Sequence, residues 1–68
     1  MTIRIQLNGQ ERELDAGSTV AALIEELGLR PEQVAVEVNK DLVARNVRSE
    51  TLLADGDHVE LVTLVGGG

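Results

Sequence analysis

The chain opens with a strict alternation of apolar and polar residues. This period of two is typical of a strand with one buried face, and its apolar members are Ile3, Ile5 and Leu7. Asn8-Gly9 follows and predicts a type I′ hairpin turn, because both central residues of that turn need a positive φ. A second, more polar strand is predicted over residues 10–14. Its charged side chains suit the edge of a sheet.

The period then changes from two to that of an amphipathic helix. The apolar residues at positions i, i+3, i+4 and i+7 are Val20, Leu23, Ile24 and Leu27. Ser18 or Thr19 can serve as the N-cap, since either hydroxyl can accept from a free amide of the first turn. Gly28 stands where a left-handed residue ends a helix, and Pro31 prevents the helix from resuming. A helix is predicted over residues 20–27.

Alternation returns in the second half of the chain. Three valines predict a third strand that ends near residues 39–41, and they are Val34, Val36 and Val38. Residues 42–48 fit either a short strand or an irregular segment. Leu52 and Leu53 are predicted to be core residues under a loop. Asp55-Gly56-Asp57 predicts a turn, and residues 58–65 form the longest strand-like run.

This order of elements predicts an α+β fold. One helix on one face of a small mixed sheet is the economical way to bury a single apolar stripe. The last strand is expected to lie parallel to the first, with the helix in the crossover between them. This is the β-grasp arrangement, the fold of ubiquitin. We expect a single domain over residues 1–65, followed by a flexible glycine tail at residues 66–68.

Composition narrows the possible chemistry. The 68 residues include 12 acidic and 6 basic side chains, which gives a net charge of −6, and there is no cysteine, Phe, Tyr or Trp. A disulfide, a thiolate nucleophile and a zinc–thiolate site are therefore excluded. Nucleic acid is an unexpected partner for an acidic chain without stacking aromatics. No apolar run approaches the ~20 residues that span a membrane, and the alternating first residues do not resemble a signal peptide, so we expect a cytoplasmic protein.

The side chains offer weak candidates for catalysis or metal binding. His58 has no neighbouring nucleophile, so an ordinary surface histidine is favoured. Asp55 and Asp57 supply too few oxygens for a calcium loop, and a turn is the simpler interpretation. We therefore predict no catalytic residue and no metal site. Half of the positive charge lies in one short stretch and either balances local acidity or forms a contact patch; its members are Lys40, Arg45 and Arg48.

The glycine tail is the most informative feature. Gly66, Gly67 and Gly68 follow a predicted strand directly, and glycine can pass through a channel too narrow for any other residue. A carboxylate at such an end is a poor electrophile until it is activated, for example as an acyl-adenylate. A frayed end or a remnant of an expression vector is the alternative to this substrate-like interpretation.

Four segments together resemble the thiamin-pathway sulfur carrier (ThiS) family. They are Asn8-Gly9, Val36-Glu37-Val38-Asn39-Lys40, Asp55-Gly56-Asp57 and the final Val65-Gly66-Gly67-Gly68. The resemblance implies that an ATP-using, ubiquitin-activating-like enzyme adenylates the carboxylate of Gly68. Sulfur transfer would then give a thiocarboxylate that supplies sulfur to thiazole synthase. Gly66 and Gly67 would form the narrow, flexible tail that carries this group.

By this resemblance the chain is a carrier and not an enzyme. It would bind no cofactor, since the ATP is used by the activating partner, and a sulfur-donor protein would be a further partner. Three alternatives stay open: the related small subunit of molybdopterin synthase, a ubiquitin-like protein modifier, and an interaction domain with an inert tail.

The last strand also predicts a docking surface. If Val59, Leu61 and Val65 face the helix, then Val62 and Leu64 face away from it. Two outward apolar residues beside the tail suggest a partner-docking patch. The opposite register would place both in the core.

Overall fold

The computed structural model describes residues 1–64. It contains a five-stranded mixed sheet in the order β2-β1-β5-β3-β4 with one α-helix packed on one face. The strands are β1 Thr2–Leu7, β2 Gln10–Asp15, β3 Val34–Val38, β4 Asp41–Leu42 and β5 His58–Thr63, and the helix is α1 Val20–Glu26. Two 3-10 helices, Pro31–Gln33 and Arg45–Glu50, complete the connections. The predicted α+β, β-grasp architecture is confirmed.

The first hairpin forms where the sequence predicts it. Asn8 and Gly9 have φ of 50° and 83°, as a type I′ turn requires, and β1 pairs antiparallel with β2. The polar strand β2 lies at the edge of the sheet, as expected. It is tied to the helix by an ion pair between Arg12 Nη2 and Glu26 Oε1 at 3.1 Å.

The helix is held at both ends by local bonds. Thr19, and not Ser18, is the N-cap, and its Oγ1 accepts from the amide of Ala22 at 3.1 Å. At the other end Gly28, with φ of 73°, reverses the chain, and the amide of Leu29 donates to the carbonyl of Ile24 at 3.2 Å. The amide of Gly28 also donates to the carbonyl of Glu25 at 3.0 Å. These two bonds form a Schellman motif, so the predicted glycine stop is confirmed, with α1 ending at Glu26.

The last strand occupies the middle of the sheet. β5 pairs parallel with β1 and antiparallel with β3, which confirms the expected crossover. The core lies between the sheet and α1, with a contribution from the loops. Its buried apolar residues are Ile5, Leu14, Val20, Leu23, Ile24, Val34, Val36, Val43, Leu53 and Val59.

The prediction that Leu52 is a core residue is wrong. Its side chain is 66% exposed, whereas that of Leu53 is 4% exposed. The segment is extended here: the amide of Leu53 donates to Ser18 O and the amide of Val20 donates to Thr51 O, both at 2.9 Å. Adjacent residues of an extended chain point in opposite directions, so only one of the two leucines can face the core.

The segment that the sequence left open contains two elements. Asn39 and Lys40, with φ of 52° and 74°, turn the chain from β3 into the short strand β4. The second 3-10 helix follows and packs against α1. Within residues 1–64, no helix is long and apolar enough to cross a membrane.

Candidate functional site

The strand that leads to the glycine tail is paired on both sides at its start and on the β3 side at its end. β5 hydrogen-bonds with β1 and β3, and the amide of Leu64 donates to the carbonyl of Gln33 at 2.6 Å. The tail residues Gly66, Gly67 and Gly68, like Val65, lie outside the described residues, so their predicted roles stay predictions. What the structure fixes is the point from which the chain continues into them.

The acidic turn before β5 positions the start of that strand. Asp57 Oδ1 accepts from Asn39 Nδ2 at 2.9 Å, and Asp57 Oδ2 accepts from the amide of Ala54 at 2.8 Å. Asn39 Oδ1 accepts in turn from the amide of His58 at 2.9 Å. Both carboxylate oxygens of Asp57 therefore stabilise the turn, one through the amide of Ala54 and the other through the side chain of Asn39.

Asp55 has a comparable role on the β1 side. Its Oδ1 accepts from the amide of Arg4 at 2.8 Å, and the amide of Gly56 donates to Arg4 O at 2.7 Å. Over the described part of the chain, no group of three or more His, Cys, Asp or Glu side chains could hold a metal ion. The aspartates are hydrogen-bond acceptors of a turn, as the simpler interpretation predicts.

The outer face of the sheet exposes the two apolar residues that the alternation assigns to it. Val62 is 58% exposed and Leu64 is 52% exposed, whereas Val59 is buried and Leu61 half-buried on the helix side. The predicted register is therefore confirmed. Ala35 lies opposite Val62 on β3 and extends this apolar surface, which we call the outer-face patch: Ala35, Val62 and Leu64.

Two carboxylates border the outer-face patch. Glu37 of β3 and Glu60 of β5 are directly opposite each other, and both side chains are exposed. Neither forms an ion pair with any of residues 1–64. Leu42 pairs with Glu37 from the other side and is 72% exposed. The face that surrounds the outgoing chain is thus apolar and acidic, which suits a partner surface with apolar and basic groups.

The three cations of residues 40–48 do not form one contact patch. Arg48 is 5% exposed, and its guanidinium donates to the carbonyls of Pro31 and Val34. Lys40 lies in the β3–β4 turn and lines a shallow depression with His58 and Glu60. Sequence reasoning missed the buried role of Arg48, and no signal in the sequence separates it from the exposed Arg45.

Burial has an electrostatic consequence for Arg48. Desolvation lowers the pKa of its guanidinium from the ordinary value, and the nearby charge of Arg45 lowers that pKa further. An arginine remains protonated at neutral pH even so. Arg48 is therefore a buried cation. His58 is exposed, as predicted for a surface histidine.

Comparison with known proteins assigns the chain to a family. The chain has the ubiquitin-like β-grasp fold, and its arrangement matches a crystal structure of the thiamine biosynthesis protein ThiS from Geobacter metallireducens with a TM-score of 0.83. The two share 30% sequence identity over 97% of this chain and all of that one. A sequence model of the ThiS family matches residues 5–68. The chain belongs to the ThiS family.

Curated relatives agree with this assignment. The sulfur carrier protein ThiS of Thermus thermophilus is 38% identical over 94% of this chain and 98% of its own length. A protein named thiazole synthase from Magnetococcus marinus is 41% identical over 97% of this chain. The chain spans about a fifth of the length of that synthase, at 20%. The family is thus that of the sulfur carriers of thiamin biosynthesis.

Proposed function

We propose that this chain carries sulfur on the carboxylate of Gly68 for synthesis of the thiamin thiazole. The match to the ThiS family through residue 68 carries the proposal, together with the three glycines that follow β5. The sulfur rides on a main-chain carboxyl group, which agrees with the absence of cysteine from the sequence. The chain acts as a co-substrate, and its partners supply the catalysis.

The proposed chemistry takes place in two steps. A carboxylate oxygen of Gly68 attacks the α-phosphorus of ATP on a ubiquitin-activating-like enzyme, and pyrophosphate leaves. The terminal sulfur of a persulfide on a donor protein then attacks the acyl carbon and AMP leaves; a thiol cleaves the resulting S–S bond and forms a disulfide with the donor. The product is a thiocarboxylate with one oxygen replaced by sulfur. ATP is bound by the activating partner, and we assign no cofactor to this chain.

Thiazole synthase is the proposed acceptor of the sulfur. A relative with that name contains a segment 41% identical to this chain, so a carrier-like unit occurs within a longer polypeptide named for that activity. Gly66 and Gly67 offer no side chain that would obstruct entry of the tail into a narrow active-site channel. We further propose that the outer-face patch, with Val62 and Leu64, docks on the activating enzyme and aims the tail.

Intact mass spectrometry tests the carrier function directly. The full chain is incubated with the adenylating enzyme from the same genome, ATP and a sulfur donor. The expected result is a mass gain equal to the replacement of one oxygen by sulfur, and the starting mass checks that Gly68 is the terminal residue. The same reaction with Gly67→Val should fail, because a branched side chain would obstruct the channel.

Each alternative has its own outcome in this assay. A ladder of conjugates joined to lysine would identify a ubiquitin-like modifier. A thiocarboxylate that supports molybdopterin synthesis and not thiazole synthesis would identify the molybdopterin synthase small subunit. An unchanged mass, together with normal growth of a thiamin-dependent strain that expresses a Gly68 deletion, would refute the sulfur carrier.

Val62→Asp tests the docking surface. It places a charge on the exposed outer-face patch, so binding to the activating enzyme should weaken about tenfold or more while far-UV circular dichroism stays unchanged. Val47→Asp is the matched control, because Val47 is 39% exposed on the second 3-10 helix, outside the patch. Equal effects of the two substitutions, or unfolding by Val62→Asp, would contradict the assignment.

A further inference from the structure

A groove lies on the helix side of the molecule, away from the outer-face patch. It runs between α1 and the two 3-10 helices and has a volume of about 560 Å³. Its apolar wall consists of Ala21, Ile24, Leu29 and Pro31. Arg45 and Arg48 also line it. A groove of this size, mostly apolar with a few charged groups, has the character of a binding site.

Among the described residues, the buried arginine in this groove has no anionic partner. Arg48 Nη1 donates to Pro31 O at 2.8 Å and Nη2 donates to Val34 O at 2.6 Å. Both acceptors are neutral carbonyls, and Arg48 Nε is buried without a hydrogen-bond partner in the described part of the chain. Within residues 1–64, no carboxylate lies within ion-pair distance of Arg48. A buried cation without a counter-ion is costly, and an anion nearby offsets that cost.

Arg45 adds a second cation to the same groove. Its side chain is exposed and forms no ion pair with the rest of the described chain. The two arginines are close enough for the charge of Arg45 to affect the titration of Arg48. Glu25 lines the groove as well, but it makes no ion pair with either arginine. In a chain with a net charge of −6, the groove concentrates unneutralised positive charge.

We propose that this groove binds an acidic side chain carried on an apolar segment of a partner protein. The carboxylate contacts the exposed guanidinium of Arg45 and neutralises the buried charge of Arg48. Apolar residues next to the carboxylate pack on Leu29 and Pro31. Charge complementarity selects an acidic partner here, whereas the outer-face patch selects an apolar and basic one. The inference is independent of the proposed sulfur chemistry.

NMR of the ¹⁵N-labelled full chain tests the groove. The probe is a capped tetrapeptide with one glutamate among three leucines, compared with its glutamine counterpart. The glutamate peptide should shift the Nε–H signals of Arg45 and Arg48 and the amide of Leu29, and it should bind roughly tenfold more tightly than the glutamine peptide. The Nε–H signal of Arg12, which pairs with Glu26, should stay unchanged.

Two variants test whether Arg45 causes the preference for glutamate over glutamine. Arg45→Gln should abolish the preference for glutamate over glutamine. Arg30→Gln should retain it, because Arg30 is exposed and does not line the groove. The same preference in both variants, or no shift at groove residues with either peptide, would overturn the proposal.

Hexanoate distinguishes the source of the carboxylate. If hexanoate saturates the groove while the glutamate peptide does not bind, the site takes a small organic anion and a protein occupant is refuted. If the glutamate peptide binds and hexanoate competes with it only weakly, the peptide-segment proposal is supported. Neither outcome depends on loading of sulfur at Gly68, so failure of the carrier function would be recognised separately.

Discussion

Arg48→Ala tests whether a buried arginine holds the second half of the fold. Arg48 belongs to the second 3-10 helix, and its guanidinium donates to the carbonyls of Pro31 and Val34 at 2.8 and 2.6 Å. Hydrogen bonds with one charged partner contribute about 1.5–3 kcal/mol each. Water can enter the groove and partly satisfy the two carbonyls, and the substitution also removes an unpaired buried charge, so we take the lower value for each bond. The expected loss is about 3 kcal/mol.

This loss would be large for so small a domain. A core of this size supplies roughly 3–5 kcal/mol of net stability, so the variant would retain little of it. At about 4–8 °C per kcal/mol, the midpoint of thermal unfolding should fall by roughly 15 °C. The variant should still show native circular dichroism at low temperature in the absence of denaturant.

Urea unfolding followed by far-UV circular dichroism measures the effect. Tyrosine and tryptophan are absent from the sequence, so intrinsic fluorescence offers no signal. Arg30→Ala is the matched control, since Arg30 is exposed and makes no side-chain hydrogen bond as the cap of the first 3-10 helix. Its effect should stay within about 0.5 kcal/mol. If Arg48→Ala costs no more than Arg30→Ala, the structural role argued for Arg48 is refuted.

Two further substitutions should raise stability. Glu60→Gln removes a like-charge pair with Glu37, so the free energy of unfolding should rise by about 0.5 kcal/mol at low salt. The gain should vanish at high salt, which screens exposed charges, and a salt-independent gain would contradict the electrostatic cause. Lys40→Gly relieves a left-handed backbone at φ of 74°, so thermal unfolding should shift upward by the equivalent of about 0.5–1 kcal/mol. A lower midpoint in that variant would show that the lysine side chain stabilises the turn.

The parts of the fold that the sequence predicts correctly are those with local causes. The hairpin at Asn8-Gly9 and the helix stop at Gly28 depend on residues that accept a positive φ, and such positions can be identified without tertiary information. The outward register of Val62 and Leu64 follows from alternation along one strand. The helical stripe similarly identifies α1 by its own period.

The parts that the sequence does not predict depend on contacts between distant segments. Leu52 and Leu53 are both apolar, and only the pairing with Ser18 and Thr19 decides which of them is buried. Arg48 resembles any surface arginine until Pro31 and Val34 present their carbonyls to it. The charge pattern of residues 40–48 suggests one patch because a linear sequence cannot show that Lys40 lies apart from the groove that Arg45 and Arg48 line.

The position of β5 bears on how the proposed carrier would present its tail to a partner. β5 pairs with β1 at His58 and Val59 and with β3 over residues 59–63, so unfolding of the start of this strand would disrupt both ladders together. The outer-face patch lies on the same strand as the outgoing chain, and Leu64 is bonded to Gln33. Docking at Val62, as proposed, would therefore orient the end of this strand relative to the partner. Asn8 holds Leu61 on the β1 side through two side-chain hydrogen bonds, and Val62 and Thr63 pair with β3, so the starting point of the tail is set by both neighbouring strands in turn.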